Sequence, residues 1–283
     1  MEIRVKANAK INLTLDALAK RPDGFHEVEM VMTTLELADY ISVAARADQE
    51  IVIETTSGLI PNDQQNLCFK VADLMRRTYG IKNGVTITIE KNIPVAAGLA
   101  GGSADAAATF HALNQLWELN LSLETLETLG AMIGSDVPFC LWNTTALATG
   151  RGEKLQALPA PPKCWVVLAK PQIGLSTAEV YGNLDIETAP HPQTQTMIKA
   201  LEEQDYALMC QTLGNSLEAV SLKLCDQIQQ IKLVMEQSGA DGVLMSGSGP
   251  TVFAFTQSES RKNRIVNSLK GFCYTVIETR MKG

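Results

Sequence analysis

The chain has little from which a covalent or metal-bound framework could be built. Its six cysteines (Cys68, Cys140, Cys164, Cys210, Cys225 and Cys273) include no C-x-x-C pair and each stands beside apolar residues, which excludes a disulfide scaffold or zinc knuckle and reads as buried thiols. The three histidines, His26, His111 and His191, share no spacing that puts two on one helix face, so any metal is expected on oxygen ligands. No apolar run reaches the length of a membrane span. Met1-Glu2-Ile3-Arg4-Val5 enters an alternating strand pattern at once, without the charged flank and apolar stretch of a signal peptide. A cytoplasmic protein is expected. The net charge of −7 and the absence of a Lys/Arg stripe exclude a general affinity for nucleic acid. The expected partner is a small molecule, with no nucleic acid or membrane, and the protein a monomer or homodimer.

What is present is an ordinary globular composition, 46% hydrophobic and 19% charged over 283 residues, enough for two domains. Alternation at Ile3-Val5, Ile11-Leu13-Leu15, Val28-Met30-Met32, Ile41-Val43 and Ile51-Ile53 predicts a β-rich start. The period turns helical from Asn62 to Tyr79, with Asn62 or Asp63 as cap, and returns to a strand at Val85-Ile89. Helices follow at about Gly102–Trp117 and Ser122–Ile133, the second ending near Gly134. The proline cluster of Ala157-Leu158-Pro159-Ala160-Pro161-Pro162 predicts an extended connector, and so a domain boundary between 1–156 and 163–283. Beyond it come strands at Trp165-Leu168, Gly242-Met245, Thr251-Phe255 and Tyr274-Glu278, with helices at Cys225–Gln237 and Ser260–Leu269.

The segment Pro94 to Ala108 joins a glycine-rich turn to an alanine-rich helix start. Gly98, Gly101 and Gly102 permit close backbone approach, and the first helical turn offers unpaired N–H groups at the positive end of a dipole. This is a cradle for phosphate. A Walker loop needs a lysine and a hydroxyl after its last glycine, whereas Gly102 is followed by Ser103-Ala104-Asp105. A dinucleotide fingerprint needs G-x-G-x-x-G in a βαβ unit, and Gly98-Leu99-Ala100-Gly101-Gly102 lacks the first step.

Pro94-x3-Gly98-Leu99-x-Gly101-Gly102-Ser103 resembles the phosphate loop of the superfamily of galactokinase, homoserine kinase, mevalonate kinase and phosphomevalonate kinase. Two further signatures stand in order, Ala9-Lys10-Ile11-Asn12-Leu13 and Ser246-Gly247-Ser248-Gly249-Pro250-Thr251-Val252-Phe253. Within it, Arg21-Pro22-Asp23-Gly24-Phe25-His26-Glu27 and Gly134-Ser135-Asp136-Val137-Pro138-Phe139 are similar to the branch that phosphorylates the C2 hydroxyl of a cytidyl-capped methylerythritol in isoprenoid-precursor synthesis. The resemblance spans the chain. It implies an α+β, two-domain small-molecule kinase, with a β-rich nucleotide-binding N-terminal domain, a ferredoxin-like C-terminal domain and catalysis in the cleft between them. Rival readings are a superfamily kinase for mevalonate or homoserine, and a nucleotide-binding homologue with little catalysis.

The resemblance also assigns residues. Asp136, in an otherwise apolar stretch, becomes the base or orienter for the acceptor hydroxyl, against the plain alternative of a helix-cap or turn aspartate. Lys10 is expected to pair with it, keep it ionised and stabilise phosphoryl charge. Phe25, His26 and Tyr181 form the cytosine site, two rings stacking and the imidazole bonding the base edge. Phenylalanine stands where tyrosine is commoner, keeping the stacking face and dropping the hydroxyl. Asn12 and Thr177 bond substrate oxygens. On the nucleotide side, Pro94 and the backbone of Ala97, Gly98, Leu99, Ala100, Gly101, Gly102 and Ser103 hold ATP, with Asn66 and Lys91 as further contacts. Mg²⁺ bridges the phosphates, and Ser103 either meets it or caps the helix. Gly247-Ser248-Gly249 is expected to support the loop from the second domain.

Overall fold

The computed structural model describes residues 2–282. In chain order the elements are β1 (Glu2–Lys20), β2 (His26–Arg46), β3 (Ile51–Thr55), α1 (Leu67–Tyr79), β4 (Gly84–Glu90), α2 (Gly101–Leu116), α3 (Leu123–Ile133), α4 (Val137–Trp142), β5 (Thr145–Thr149), β6 (Lys154–Ala157) and β7 (Trp165–Lys170). There follow α5 (Thr177–Gly182), α6 (Thr194–Glu202), α7 (Tyr206–Gln211), β8 (Gly214–Asn215), α8 (Glu218–Leu224), α9 (Asp226–Gln237), β9 (Gly242–Met245), β10 (Val252–Thr256), α10 (Glu259–Lys270) and β11 (Thr275–Arg280).

These elements group into two compact units. The first takes in the chain up to Ala9, Leu37–Val95 and Ala100–Asn143; the second takes in Lys10–Glu36, Ala96–Leu99 and the chain from Thr144 onward. In the first unit, β4 pairs antiparallel with β2 from Tyr40↔Glu90 to Arg46↔Gly84, and parallel with β3 from Ile51↔Val85 to Thr55↔Ile89. Alternation along these strands sends Ile41, Val43, Ile87 and Ile89 into a core with Val71 and Met75 of α1 and Phe110 and Leu113 of α2. The run Ala104 to Ala108 is buried throughout, since small side chains let α2 pack against both α1 and α4.

Helix α1 starts later than its periodicity suggests. Asp63 Oδ1 accepts from the Gln65 N–H at 2.9 Å, an Asx turn that competes with helix. Asn66 then caps α1, accepting from the Cys68 N–H at 2.9 Å. Ser122 caps α3, accepting from the Thr125 N–H at 3.2 Å, while Gly134 ends it with extended backbone rather than a left-handed turn.

In the second unit, β11, β7, β10 and β9 form an antiparallel sheet in that order, so the four strands in sequence lie 4-1-3-2. α9 and α10 pack on this sheet. Elsewhere in the unit, β5 pairs with Met30–Thr33 of β2 and with β6, and β8 pairs parallel to β1 at Thr14↔Gly214. The chain from 158 to 164 forms neither helix nor strand. All six cysteines are free; Cys140 and Cys210 are partly exposed and the other four are buried.

Candidate active site

The glycine-rich segment folds as a tight crest between β4 and α2. Ala96, Gly98 and Ala100 all take positive φ, at 49°, 71° and 54°, an alternation that turns successive N–H groups to one side of the chain. Only Gly98 does so without steric cost. A Cβ on Gly98 would lie 2.2 Å from the Ser246 carbonyl oxygen, so glycine is required there twice over. Ala97 and Leu99 point inward and are buried. Ala100 is the N-cap of α2 and gives no side-chain cap. Ser103 is therefore not the cap; it stands as the third residue of the helix.

The Ser246–Gly249 turn braces this crest within the second unit. The Ser246 hydroxyl donates to the Gly98 carbonyl at 2.9 Å, and a Cβ on Gly247 would come within 3.1 Å of that oxygen. Asn215 Nδ2 donates to the carbonyls of Met245 and Gly247 at 2.9 and 2.8 Å. The Ser221 hydroxyl donates to the Ser248 carbonyl at 3.2 Å. Sequence reasoning missed Asn215 and Ser221. Both are buried polar residues.

Lys10 projects from β1 and is 5% exposed. Its Nζ donates to Asn12 Oδ1 at 2.8 Å, and Asn12 Nδ2 faces Met30 Sδ at 3.2 Å. The Lys10 N–H donates to the Leu99 carbonyl at 3.1 Å, tying this strand to the crest. A buried ammonium with an adjustable amide partner is suited to meeting anionic charge. In the first unit, Asp136 occupies the position before α4 yet makes no side-chain cap hydrogen bond. The helix-cap alternative for this carboxylate therefore falls away.

The aromatic candidates lie in the second unit. Phe25 is 49% exposed and the Arg151 guanidinium sits 4.9 Å from its ring centroid, within cation–π range. His26 and Tyr181 have ring centroids 5.0 Å apart. Burial lowers the affinity of His26 for a proton, and the charge of Lys20 adds to this, so the ring is neutral at pH 7 with one donor and one acceptor nitrogen. Thr177 opens α5 and its hydroxyl is 2.9 Å from that of Ser248, which places it beside the bracing turn.

Two expected nucleotide contacts are already engaged. Asn66 uses its oxygen to cap α1 and its Nδ2 to donate to the Pro61 carbonyl at 2.6 Å. The Lys91 side chain is 6% exposed and ion-paired with Asp39 and Asp105. Burial opposes the charge on Lys91, and the two carboxylates more than restore it, raising its pKa.

Residues 66–144 match the GHMP kinases N terminal domain, and residues 197–275 match the GHMP kinases C terminal family. Over 283 residues the chain is 56% identical to the 4-diphosphocytidyl-2-C-methyl-D-erythritol kinase of Exiguobacterium sibiricum, covering all of this chain and 99% of that protein. It belongs to the 4-diphosphocytidyl-2-C-methyl-D-erythritol kinase family. The kinase of the same name from Bacillus subtilis is also 56% identical, with 98% of its length covered. A crystal structure of 4-(cytidine 5'-diphospho)-2C-methyl-D-erythritol kinase superposes with a TM-score of 0.82 at 30% identity, covering 99% of this chain and 100% of that one. Homoserine kinase from Cytophaga hutchinsonii shares the fold, with a TM-score of 0.78 at 19% identity over 99% of this chain and 94% of that one. For a member of this kinase family, the crest between β4 and α2 lies inside the N-terminal match and the 246–249 turn inside the C-terminal one. Among the described residues no helix is long and apolar enough to cross a membrane.

Proposed function

We propose that the chain transfers the γ-phosphate of ATP to the C2 hydroxyl of 4-diphosphocytidyl-2-C-methyl-D-erythritol, a step of non-mevalonate isoprenoid-precursor synthesis. The observation that carries this reading is full-length identity above one half to kinases named for that acceptor. In the reaction the C2 oxygen forms a bond to the γ-phosphorus, the bond to the β-phosphate bridging oxygen breaks, and ADP leaves. Little covalent work falls to the protein, so its task is positioning and charge.

Main-chain N–H groups from Ala97 to Ser103 cradle the ATP phosphates, supported by the positive φ values at Gly98 and Ala100. Asp136, at the N-cap position of α4 without a side-chain cap bond, accepts the hydroxyl proton. Lys10 neutralises charge on the transferring group, and Asn12 and Thr177 bond acceptor oxygens. Phe25 and Tyr181 stack the cytosine while neutral His26 reads its edge; the half-exposed ring of Phe25 supports that reading. Mg²⁺ fits as a phosphate-held ion. No cluster of three acidic, cysteine or histidine ligands occurs among the described residues, and Mg²⁺ commonly takes substrate phosphates, waters and one or two protein oxygens. The Ser103 hydroxyl, not spent as the helix cap, supplies one. When bound, the ion offsets charge on the β- and γ-phosphates.

The same reading classes the 4-1-3-2 sheet with α9 and α10 as a ferredoxin-like C-terminal domain, divided from residues 1–156 at the proline cluster. The two family matches fall on either side of that cluster. Six free thiols accord with a reducing cytoplasm. A coupled ATP-consumption assay across the cytidyl-erythritol, mevalonate and homoserine tests the acceptor. Turnover with the cytidyl compound, blocked by cytidine diphosphate, is expected. Turnover only with mevalonate or homoserine overturns the assignment.

A further inference from the structure

Beside Gly101, at the start of α2, lies a buried charge cluster that the reaction scheme does not use. Asp39, on β2, is fully buried and Asp105, on α2, is 3% exposed. Lys91, just past β4, joins them, donating to Asp39 Oδ2 and, at 2.7 Å, to Asp105 Oδ2. The second oxygen of Asp39 accepts the backbone N–H groups of Asn92 and Ile93, at 2.5 and 2.8 Å. Asn92 Nδ2 adds a bond to the Ala38 carbonyl at 3.0 Å. The strap 91–93 leads into the loop, and Asp105 sits in the helix that leads out. The ends also touch, for a Cβ on Gly101 would lie 3.1 Å from Ile93 Cγ2 and 3.4 Å from Lys91 Nζ.

Breaking a buried pair leaves an uncompensated charge, which makes such a cluster stiff. Three side chains therefore pin the entry and exit of a loop whose own residues carry strained φ values. We infer that Lys91, Asp39 and Asp105 form a clip that fixes the separation of the loop's two ends, so that Asp39 and Asp105 are positioning residues for the nucleotide phosphates. Lys91 then serves ATP through the shape of the loop rather than by contact. The inference rests on the reading of Ala97–Ser103 as the ATP cradle.

Asp105 gives the clip a titratable member. Its Oδ1 has no hydrogen-bond partner, and burial, aided by Asp39 and opposed by Lys91, pushes its carboxyl up to about 7. The groups facing it are Asp39 from β2, Lys91, and the Cys68 thiol of α1, which burial holds protonated. With Asp105 protonated, one ammonium balances one carboxylate. Once it ionises, a net negative charge stands at the ends of the loop and opposes ATP.

The test compares ATP KM, kcat and melting temperature for the wild type, Asp39→Asn and Asp105→Asn from about pH 6 to about pH 8.5. In the wild type, ATP KM should rise as pH passes through about 7. Asp105→Asn, isosteric and non-ionising, should flatten that rise. Asp39→Asn should raise ATP KM on the order of tenfold and change the acceptor KM far less. Wild-type ATP KM values and pH profiles in both variants, with only the melting temperature lowered, overturn the clip. If Asp39→Asn does not fold, the profile of Asp105→Asn decides alone. Gly102→Val separates the two readings, because a Cβ there meets only Leu67 Cδ1 at 3.7 Å. Normal ATP binding by Gly102→Val removes the cradle reading; its loss, with Asp105→Asn retaining the wild-type profile, removes the clip alone.

Discussion

The hydroxyl of Ser246 donates to the carbonyl of Gly98 at 2.9 Å, joining residues far apart in sequence at the point where the phosphate loop turns. The carbonyl of Ser246 also fills the place a Gly98 Cβ would need. Gly98→Ala should therefore displace the Ser246 turn, lower the melting temperature and weaken ATP binding by on the order of a hundredfold. Calorimetric titration with a non-hydrolysable ATP analogue reads the second effect, and Ser246→Ala should give a milder form of both.

Asp136→Asn should leave ATP affinity nearly intact and cut turnover by at least about a hundredfold, the usual scale for loss of a general base. Substantial retained turnover removes Asp136 from its role.

Tyr181→Ala should raise the KM for the cytidyl acceptor by about tenfold, in line with the value of ring stacking in nucleotide sites, and spare that for ATP. Phe25→Ala should act the same way, and Phe25→Tyr should restore binding. Equal effects on both substrates in steady-state kinetics would sink the cytosine sandwich.

Asn66→Ala removes the cap of α1 and should cost roughly 1 kcal/mol of stability. Asn66→Asp keeps the oxygen that accepts the Cys68 N–H and should recover most of that loss in urea unfolding. If ATP KM follows stability in both variants, Asn66 acts through the helix; a KM defect in the stable Asp variant points to a direct nucleotide bond.

The His191 ring donates to Asp16 at 2.7 Å, and this bond first, with the carboxylate's charge, raises its pKa above the ordinary value. A base with a raised folded pKa stabilises the fold fully below the unfolded value of about 6.5, and the gain fades as pH climbs through the folded value. His191→Gln should therefore lower the melting temperature at about pH 5.5 and leave it unchanged by about pH 8.5. The imidazole is about half exposed, so solvent screening keeps the difference small.

Much of this molecule was legible in the sequence where local chemistry and tertiary need coincide. β4, α2 and α3 announce themselves because strand alternation, glycine punctuation and a serine cap each mark a boundary that packing then uses. The helices α4 to α8 did not, since several have fewer than two turns and carry too few residues to establish a period. Asn66 illustrates the competition at finer scale: four residues beyond Asn62, it takes the cap because the Asp63 turn consumes the intervening backbone. Lys91 was visible as a residue of interest, but its role depends on Asp39, which approaches from another strand. Spacing along the chain carries no trace of that partnership. Phe25 and His26 were legible through resemblance alone, and the Arg151 cation over Phe25 comes from a hairpin that composition does not flag.

The phosphate loop is shaped by its main chain, with Ala97 and Leu99 turned inward and Gly98 denied room for any larger residue. An inhibitor that gripped those N–H groups would meet a surface that point substitutions can scarcely redraw. One that relied on the exposed ring of Phe25 would face a position where many replacements still fold. On the proposed function, durability against resistance would thus differ between the nucleotide and acceptor halves of the site, and the backbone half offers the harder target to escape from.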